Sequence, residues 1–213
     1  MTNHFGEVGA VHIGADLEVC GLAVVAVHGR GQSAAFMIDH VVARMEQPMV
    51  AWVLPQAPGN TWYPLGFLAP LADNQPDLDR SLQTLTDVYS QLERNGVPPE
   101  RTVWLGFSQG ACLVLEWVAR HPARWGGVVA YTGGLIGPPD LERTIDGSLA
   151  DVPAYFGVGS HDEWVPADRV EFSAARYRAA GAEVSMEVFP GRPHEVCDAE
   201  IAAGRRIIER AIG

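Results

Sequence analysis

The chain is predicted to adopt an α/β fold, a mostly parallel central sheet with helices on both faces, from three observations. Short apolar runs alternate with longer segments of helical period. Most of the short runs are apolar at nearly every position. Glycine or proline closes many of them. Strands covered on both faces read as continuous apolar stretches, and parallel neighbours need a crossover between them, usually a helix.

In chain order, the first 20 residues are expected to hold an additional edge strand or hairpin. Leu22 to His28 is a continuous apolar run ending in Gly-Arg-Gly, a buried strand feeding a tight loop. Ala35 to Glu46 reads as a helix, and Met49 to Leu54 as the next strand, closed by Pro55. Residues 55–75 form a long loop rich in proline, glycine and aromatics. Loops of that length inside a compact domain are usually functional. Leu78, Leu82, Leu85, Tyr89 and Leu92 recur at helical spacing before Gly96, which marks one amphipathic helix. Arg101 to Phe107 reads as a strand, Gln109 to His121 as a helix stopped by Pro122, and Gly127 to Tyr131 as a strand. Residues 133–150 read as loop. Val152 to Val158 is a strand, Ala167 to Ala180 a helix, Ala182 to Phe189 a strand and Asp198 to Ile212 a terminal helix.

A length of 213 residues suits one well-buried core, so residues 1–213 are expected to form a single domain. A hydrophobic content of 47% with 19% charged residues describes a globular chain. No apolar run approaches a membrane span, and the N-terminus lacks the basic start and apolar stretch of a signal peptide, so a cytoplasmic location is expected. The formal net charge of −11, with no basic stripe, argues against nucleic acid and against a polybasic membrane patch. Three cysteines, Cys20, Cys112 and Cys197, contain no Cys-x-x-Cys pair. They suggest free thiols, not a disulfide framework or a metal site.

Gly106-Phe107-Ser108-Gln109-Gly110 fits Gly-x-Ser-x-Gly at a strand-to-helix junction. A serine there sits on a sharp, strained turn at the carboxyl end of the sheet, and the glycines let strand and helix backbones approach. The bland alternative is a serine that caps the following helix. Serine needs a base to remove its proton, and on such a junction the chain order is Ser, then Asp or Glu, then His. His161 and His194 are the candidates after Ser108. His194 lies in the loop past the last strand and is assigned as base, with Asp162, in the loop after the preceding strand, as its orienter. Glu163 and Asp168 compete for the orienter role. By itself an Asp in such a loop is a turn or cap residue. Acyl transfer also needs N–H donors for the developing oxyanion. The backbone N–H of Gln109 is one, and that of Arg30, in His28-Gly-Arg-Gly-Gln32, is nominated as the other. No Gly-Lys-Ser/Thr follows that loop, so it is not a phosphate loop.

These separated motifs, together with Pro55-Gln-Ala-Pro58, Trp62-Tyr63, Gly159-Ser-His-Asp-Glu-Trp-Val-Pro166 and Pro190-Gly-Arg-Pro-His194, resemble the bacterial phospholipase/carboxylesterase family. Its members are serine esterases of the α/β-hydrolase fold, related to the acyl-protein thioesterases. The resemblance spans about Ala23 to His194. It implies Ser108, Asp162 and His194 as the triad, Arg30 and Gln109 as the oxyanion hole, no large lid domain, no cofactor or metal, and a possible homodimer. Two departures stand out. Pro193 replaces the second glycine of the usual Gly-x-Gly-His, which stiffens the loop and removes an N–H. Arg30 stands where a leucine-like residue is usual, a long cation expected to crowd or polarise the acyl or alcohol side.

Trp62, Tyr63, Phe67 and Leu68 either wall an apolar acyl pocket or pack the long loop onto the core. Trp164 and residues 135–139 are placed at the entrance, and Cys112 in the core. The expected activity is hydrolysis of small carboxylic esters through an acyl-enzyme, in the manner of a carboxylesterase or lysophospholipase. Alternatives are a thioesterase, an aromatic-ester hydrolase, a C–C bond or dienelactone-type hydrolase, and a non-catalytic binding protein of the same fold. Ser108 in place of cysteine counts against the dienelactone type, and three intact polar positions count against the binding protein.

Overall fold

The computed structural model describes residues 9–17 and 21–213. Seven strands, β1 (Ala10–Gly14), β2 (Ala23–Val27), β3 (Ala51–Pro55), β4 (Thr102–Phe107), β5 (Gly127–Tyr131), β6 (Pro153–Gly159) and β7 (Glu183–Phe189), form one sheet in the order β1-β3-β2-β4-β5-β6-β7. β1 pairs antiparallel with β3. Every other neighbouring pair is parallel. The expected edge strand is therefore β1. The hairpin alternative would involve residues 1–8 or 18–20, which lie outside the described residues.

The longer helices among the described residues are α1 (residues 34–45), α2 (Asp77–Arg94), α3 (Gln109–Arg120), α4 (Ala167–Ala179) and α5 (Asp198–Ile212). They cover both faces, and the strands show why. Along β2, Ala23, Val25 and Val27 pack into the layer of α2, α3 and α4, where Leu85, Leu113 and Tyr177 lie. Val24 and Ala26 point the other way, to Met37 and Met45 of α1 and Ile208 of α5. A strand apolar at every position has two buried faces.

One expectation needs correction. The segment Ala35–Glu46 is not a uniform helix: a π turn over Ile38–Val42 separates Ala34–Met37 from Ala43–Met45. The wider turn lets Met37, Val41, Val42 and Met45 all bury against the sheet. Ser33 caps the start through its Oγ, and Glu46 ends it in a left-handed conformation. The last strand differs from the inner ones. β7 is an edge strand on which Glu183, Ser185 and Glu187 are exposed and Val184 and Met186 half-buried, as expected for a strand with one packed face.

The long segment after β3 has no regular element beyond short turns at Pro58–Asn60 and Leu71–Asn74. No helix among the described residues is long and apolar enough to cross a membrane.

Candidate active site

The chain reverses its direction of travel across the sheet between β2 and β4. α1 carries it from β2 to β3 over one face, and α2 returns it to β4 over the other. Open α/β sheets bind ligands at such a switch point, beyond the carboxyl ends of the strands. The loop after β2 and the turn after β4 meet there, because the two strands are hydrogen-bonded in register with Val27 opposite Gly106.

Ser108 occupies that turn with φ 56° and ψ −123°, a strained conformation for a non-glycine residue. Its N–H donates to the Tyr131 carbonyl at the end of β5 (2.9 Å), and its carbonyl accepts from Cys112 in the first turn of α3 (3.0 Å). Its side chain makes no cap bond to the helix. The capping alternative is thereby excluded for the hydroxyl, which turns instead to His194.

The flanking glycines let the backbones come together. A Cβ on Gly106 would lie 2.6 Å from the Ala111 backbone, and one on Gly110 would lie 2.2 Å from the Val27 carbonyl oxygen. Gly110→Ala is expected to destabilise the protein by about 3 kcal/mol, because two backbone segments must part. Gly66→Ala, where an added Cβ meets nothing within 4 Å, is the control. Urea unfolding of both variants measures the difference. Equal midpoints would mean that the close approach costs nothing to relax.

His194 and Asp162 come from the loops after β7 and β6. The imidazole Nε2 lies 2.8 Å from Ser108 Oγ, and Nδ1 lies 2.8 Å from Asp162 Oδ2. An Nδ1–H donated to the carboxylate leaves Nε2 free to accept the serine proton. Asp162 Oδ1 also accepts from the N–H groups of Trp164 and Val165, both at 2.9 Å. Burial alone would raise the Asp162 pKa. The bonds from His194, Val165 and Trp164 outweigh it and hold the carboxyl below its usual range, so it stays ionised. Asp162 thus fills the ordinary turn role and faces the histidine at once. His161, Glu163 and Asp168 are exposed and take no part in this chain of bonds. Pro193 does not displace the histidine: the loop is held by Arg192, which is buried and paired with Glu200 of α5.

The backbone N–H groups of Arg30 and Gln109 have no acceptor among the described residues. The loop carrying Arg30 is fixed from beneath by His28, which is fully buried. His28 donates from Nδ1 to the Gly29 carbonyl (2.8 Å) and accepts at Nε2 from the Ala57 N–H (3.1 Å). Burial lowers its pKa despite the bond to Gly29, so the ring is held neutral. Gly29 keeps this turn close to the serine, since a Cβ would lie 3.1 Å from that of Ser108.

A cavity of about 460 Å³ opens over Ser108 and His194, with Tyr63, Phe67, Cys112, Trp164 and Val165 among its walls and Arg30 and Gln32 at its side. Trp62 does not line it. This indole is only 1% exposed and donates to the His28 carbonyl (2.8 Å), which packs the loop onto the core. Leu68 and residues 135–139 also lie outside the lining. Trp164 is 71% exposed and stands at the rim. A second depression of about 290 Å³, at the amino ends of β4, β5 and β6, contains none of these groups.

Sequence reasoning misses the side chain of Gln109. It is buried, accepts from the Trp62 N–H (3.1 Å) and donates to the Tyr63 carbonyl (2.8 Å), tying the long loop to the helix behind Ser108. Asn74 does similar work, accepting from the Leu65 N–H (2.8 Å). The available signal was a polar amide inside an otherwise apolar helix start.

Proteins of known structure share this architecture. A crystal structure of a phospholipase/carboxylesterase from Dyadobacter fermentans is 37% identical, covers 94% of this chain and 95% of its own, and superposes with a TM-score of 0.88. The Bacillus cereus carboxylesterase, 17% identical, shares the fold over 99% of this chain and all of its own (100%), with a TM-score of 0.75. The acyl-protein thioesterase 1 of Cryptococcus neoformans is 26% identical over 209 residues, 84% of this chain and 87% of the relative. The phospholipase/carboxylesterase family model matches residues 20–212, nearly the whole length, and the chain belongs to that family.

Proposed function

We propose that the protein is a serine hydrolase of small carboxylic esters, with Ser108 as nucleophile, His194 as general base and then acid, and Asp162 as the orienting carboxylate. The reading rests on the continuous hydrogen-bond path from Asp162 through His194 to Ser108 Oγ at the floor of the cavity. Nε2 of His194 takes the serine proton as Oγ attacks the ester carbonyl. The N–H groups of Arg30 and Gln109 stabilise the tetrahedral oxyanion. The imidazolium then protonates the departing alcohol, leaving an acyl-Ser108 that water hydrolyses by the same steps in reverse order. Tyr63 and Phe67 give the acyl group an apolar wall, with Trp164 at the mouth.

Thioesters are a second reading, favoured by the likeness to acyl-protein thioesterases. The same base and donors serve both, and a thiolate leaves more readily than an alkoxide.

Hydrolysis of p-nitrophenyl esters from acetate to decanoate, with the matching thiophenyl esters, tests the proposal. The rate is expected to rise from acetate and fall again before decanoate as the chain outgrows a cavity of about 460 Å³. No turnover of any ester would favour the non-catalytic binding protein.

A further inference from the structure

Arg30 combines three features that ester hydrolysis itself does not require. Its side chain lies at the wall of the cavity that holds Ser108 and His194, and it is the one arginine among the described residues that line it. No carboxylate among the described residues lies within ion-pair distance of it. The guanidinium is also fixed in place. One Nη donates to the Pro64 carbonyl (2.7 Å), the other to that of Leu65, and Cζ lies 5.9 Å from the centre of the Tyr63 ring. Of the five N–H groups of an arginine, three remain for a ligand.

The two sides of the cavity differ in charge. The leaving group must lie beside His194, which protonates it. Val165 and Trp164 belong to that side, because their N–H groups hold Asp162. The exposed carboxylates of Glu163 and Glu195 adjoin Trp164 and His194 in the chain. The remaining wall, Arg30, Gln32, Tyr63, Gly66 and Phe67, is left for the acyl group. An anion is disfavoured on the first side and met by a pre-positioned planar cation on the second. Such a fork suits a carboxylate, and holding it beforehand lowers the ordering cost of binding.

Building on the hydrolase reading above, we propose that Arg30 selects acyl groups ending in a carboxylate, so that the preferred substrates are half esters or half thioesters of short dicarboxylic acids. The arginine takes no part in bond making; its side chain binds the distal carboxylate, and its backbone N–H serves the oxyanion as before.

The test uses mono-p-nitrophenyl succinate, glutarate and adipate against the p-nitrophenyl esters of 4-methylpentanoate, 5-methylhexanoate and 6-methylheptanoate, in which an isopropyl group replaces the carboxylate. Rates are corrected for buffer hydrolysis. The wild type is expected to show a higher kcat/KM for at least one half ester than for its neutral partner, and that ratio should shrink as salt is raised. In Arg30→Gln the ratio should fall about five- to tenfold, carried mainly by KM. Arg30→Lys should retain part of it. Should Arg30→Gln fail to fold, the wild-type ratio and its salt dependence decide the matter alone. A wild type that prefers all three neutral esters overturns the proposal while leaving the hydrolase intact, and so does a ratio unchanged in Arg30→Gln. Failure of both ester series would strike the hydrolase reading itself.

Discussion

Ser108→Ala is expected to lower kcat for ester hydrolysis by roughly 10⁶-fold, the scale on which removing a serine nucleophile acts elsewhere. The alanine keeps the backbone of the turn and removes only Oγ, whose partner is Nε2 of His194 at 2.8 Å. The turn itself is held by the Ser108 N–H on Tyr131 and by the close approach of Gly106 and Gly110 to their neighbours, all of which survive. Thermal midpoint should therefore stay close to that of the wild type, and KM for a neutral ester should change little. Single-turnover assays and a melting curve on the same preparation check both halves. A variant retaining a per cent or more of the wild-type rate would place the nucleophile elsewhere.

The second large effect is expected from Asp162→Asn, about 10⁴-fold in kcat. The direction follows from how the residue is anchored. Oδ1 accepts from the N–H groups of Trp164 and Val165, and an asparagine must keep its oxygen there to preserve the turn. Its NH₂ then occupies the position of Oδ2, 2.8 Å from Nδ1 of His194. A donor at that place forces Nδ1 to accept, which moves the ring proton to Nε2 and leaves nothing to take the proton of Ser108. The turn, the fold and the melting temperature are retained, so the loss appears in kcat alone. Asp162→Ala should additionally lower stability, because two N–H groups lose their acceptor. An asparagine variant within tenfold of the wild type would remove Asp162 from the orienting role.

The layered fold is legible from residue patterning because strands such as Ala23–Val27, apolar at every position, admit few other readings. Ser108, Asp162 and His194 are legible for a different reason. The chemistry proposed for them demands particular residue types in loops that follow strands, in a fixed order, and few residues satisfy both conditions. The supporting groups are harder to read. An aromatic such as Trp62 suits a pocket wall and a core equally, and its direction is set by the His28 carbonyl that receives its N–H, a contact 34 residues away. Arg192 and Glu200 read as ordinary surface charges until the last loop and α5 fold onto each other and bury both. The π turn in α1 arises from fitting four apolar side chains to one sheet face, which a local period does not express.

The turn that carries Ser108 and the loop that carries Arg30 are positioned by main-chain bonds, by glycines and by two adjacent strands in register. The long segment over the cavity is attached separately, by amide and guanidinium bonds from Gln109, Asn74 and Arg30 to its backbone. These bonds read only main-chain atoms, so they are blind to which side chains the segment carries at residues 63–68. Its exposed residues 64–66 are thus free to vary, whereas Tyr63 and Phe67, packed into the core, are held by their burial as well. A laboratory library randomised at Leu65, which is exposed, should accordingly yield mostly folded proteins, while one randomised at the buried Tyr63 and Phe67 should lose many members to instability.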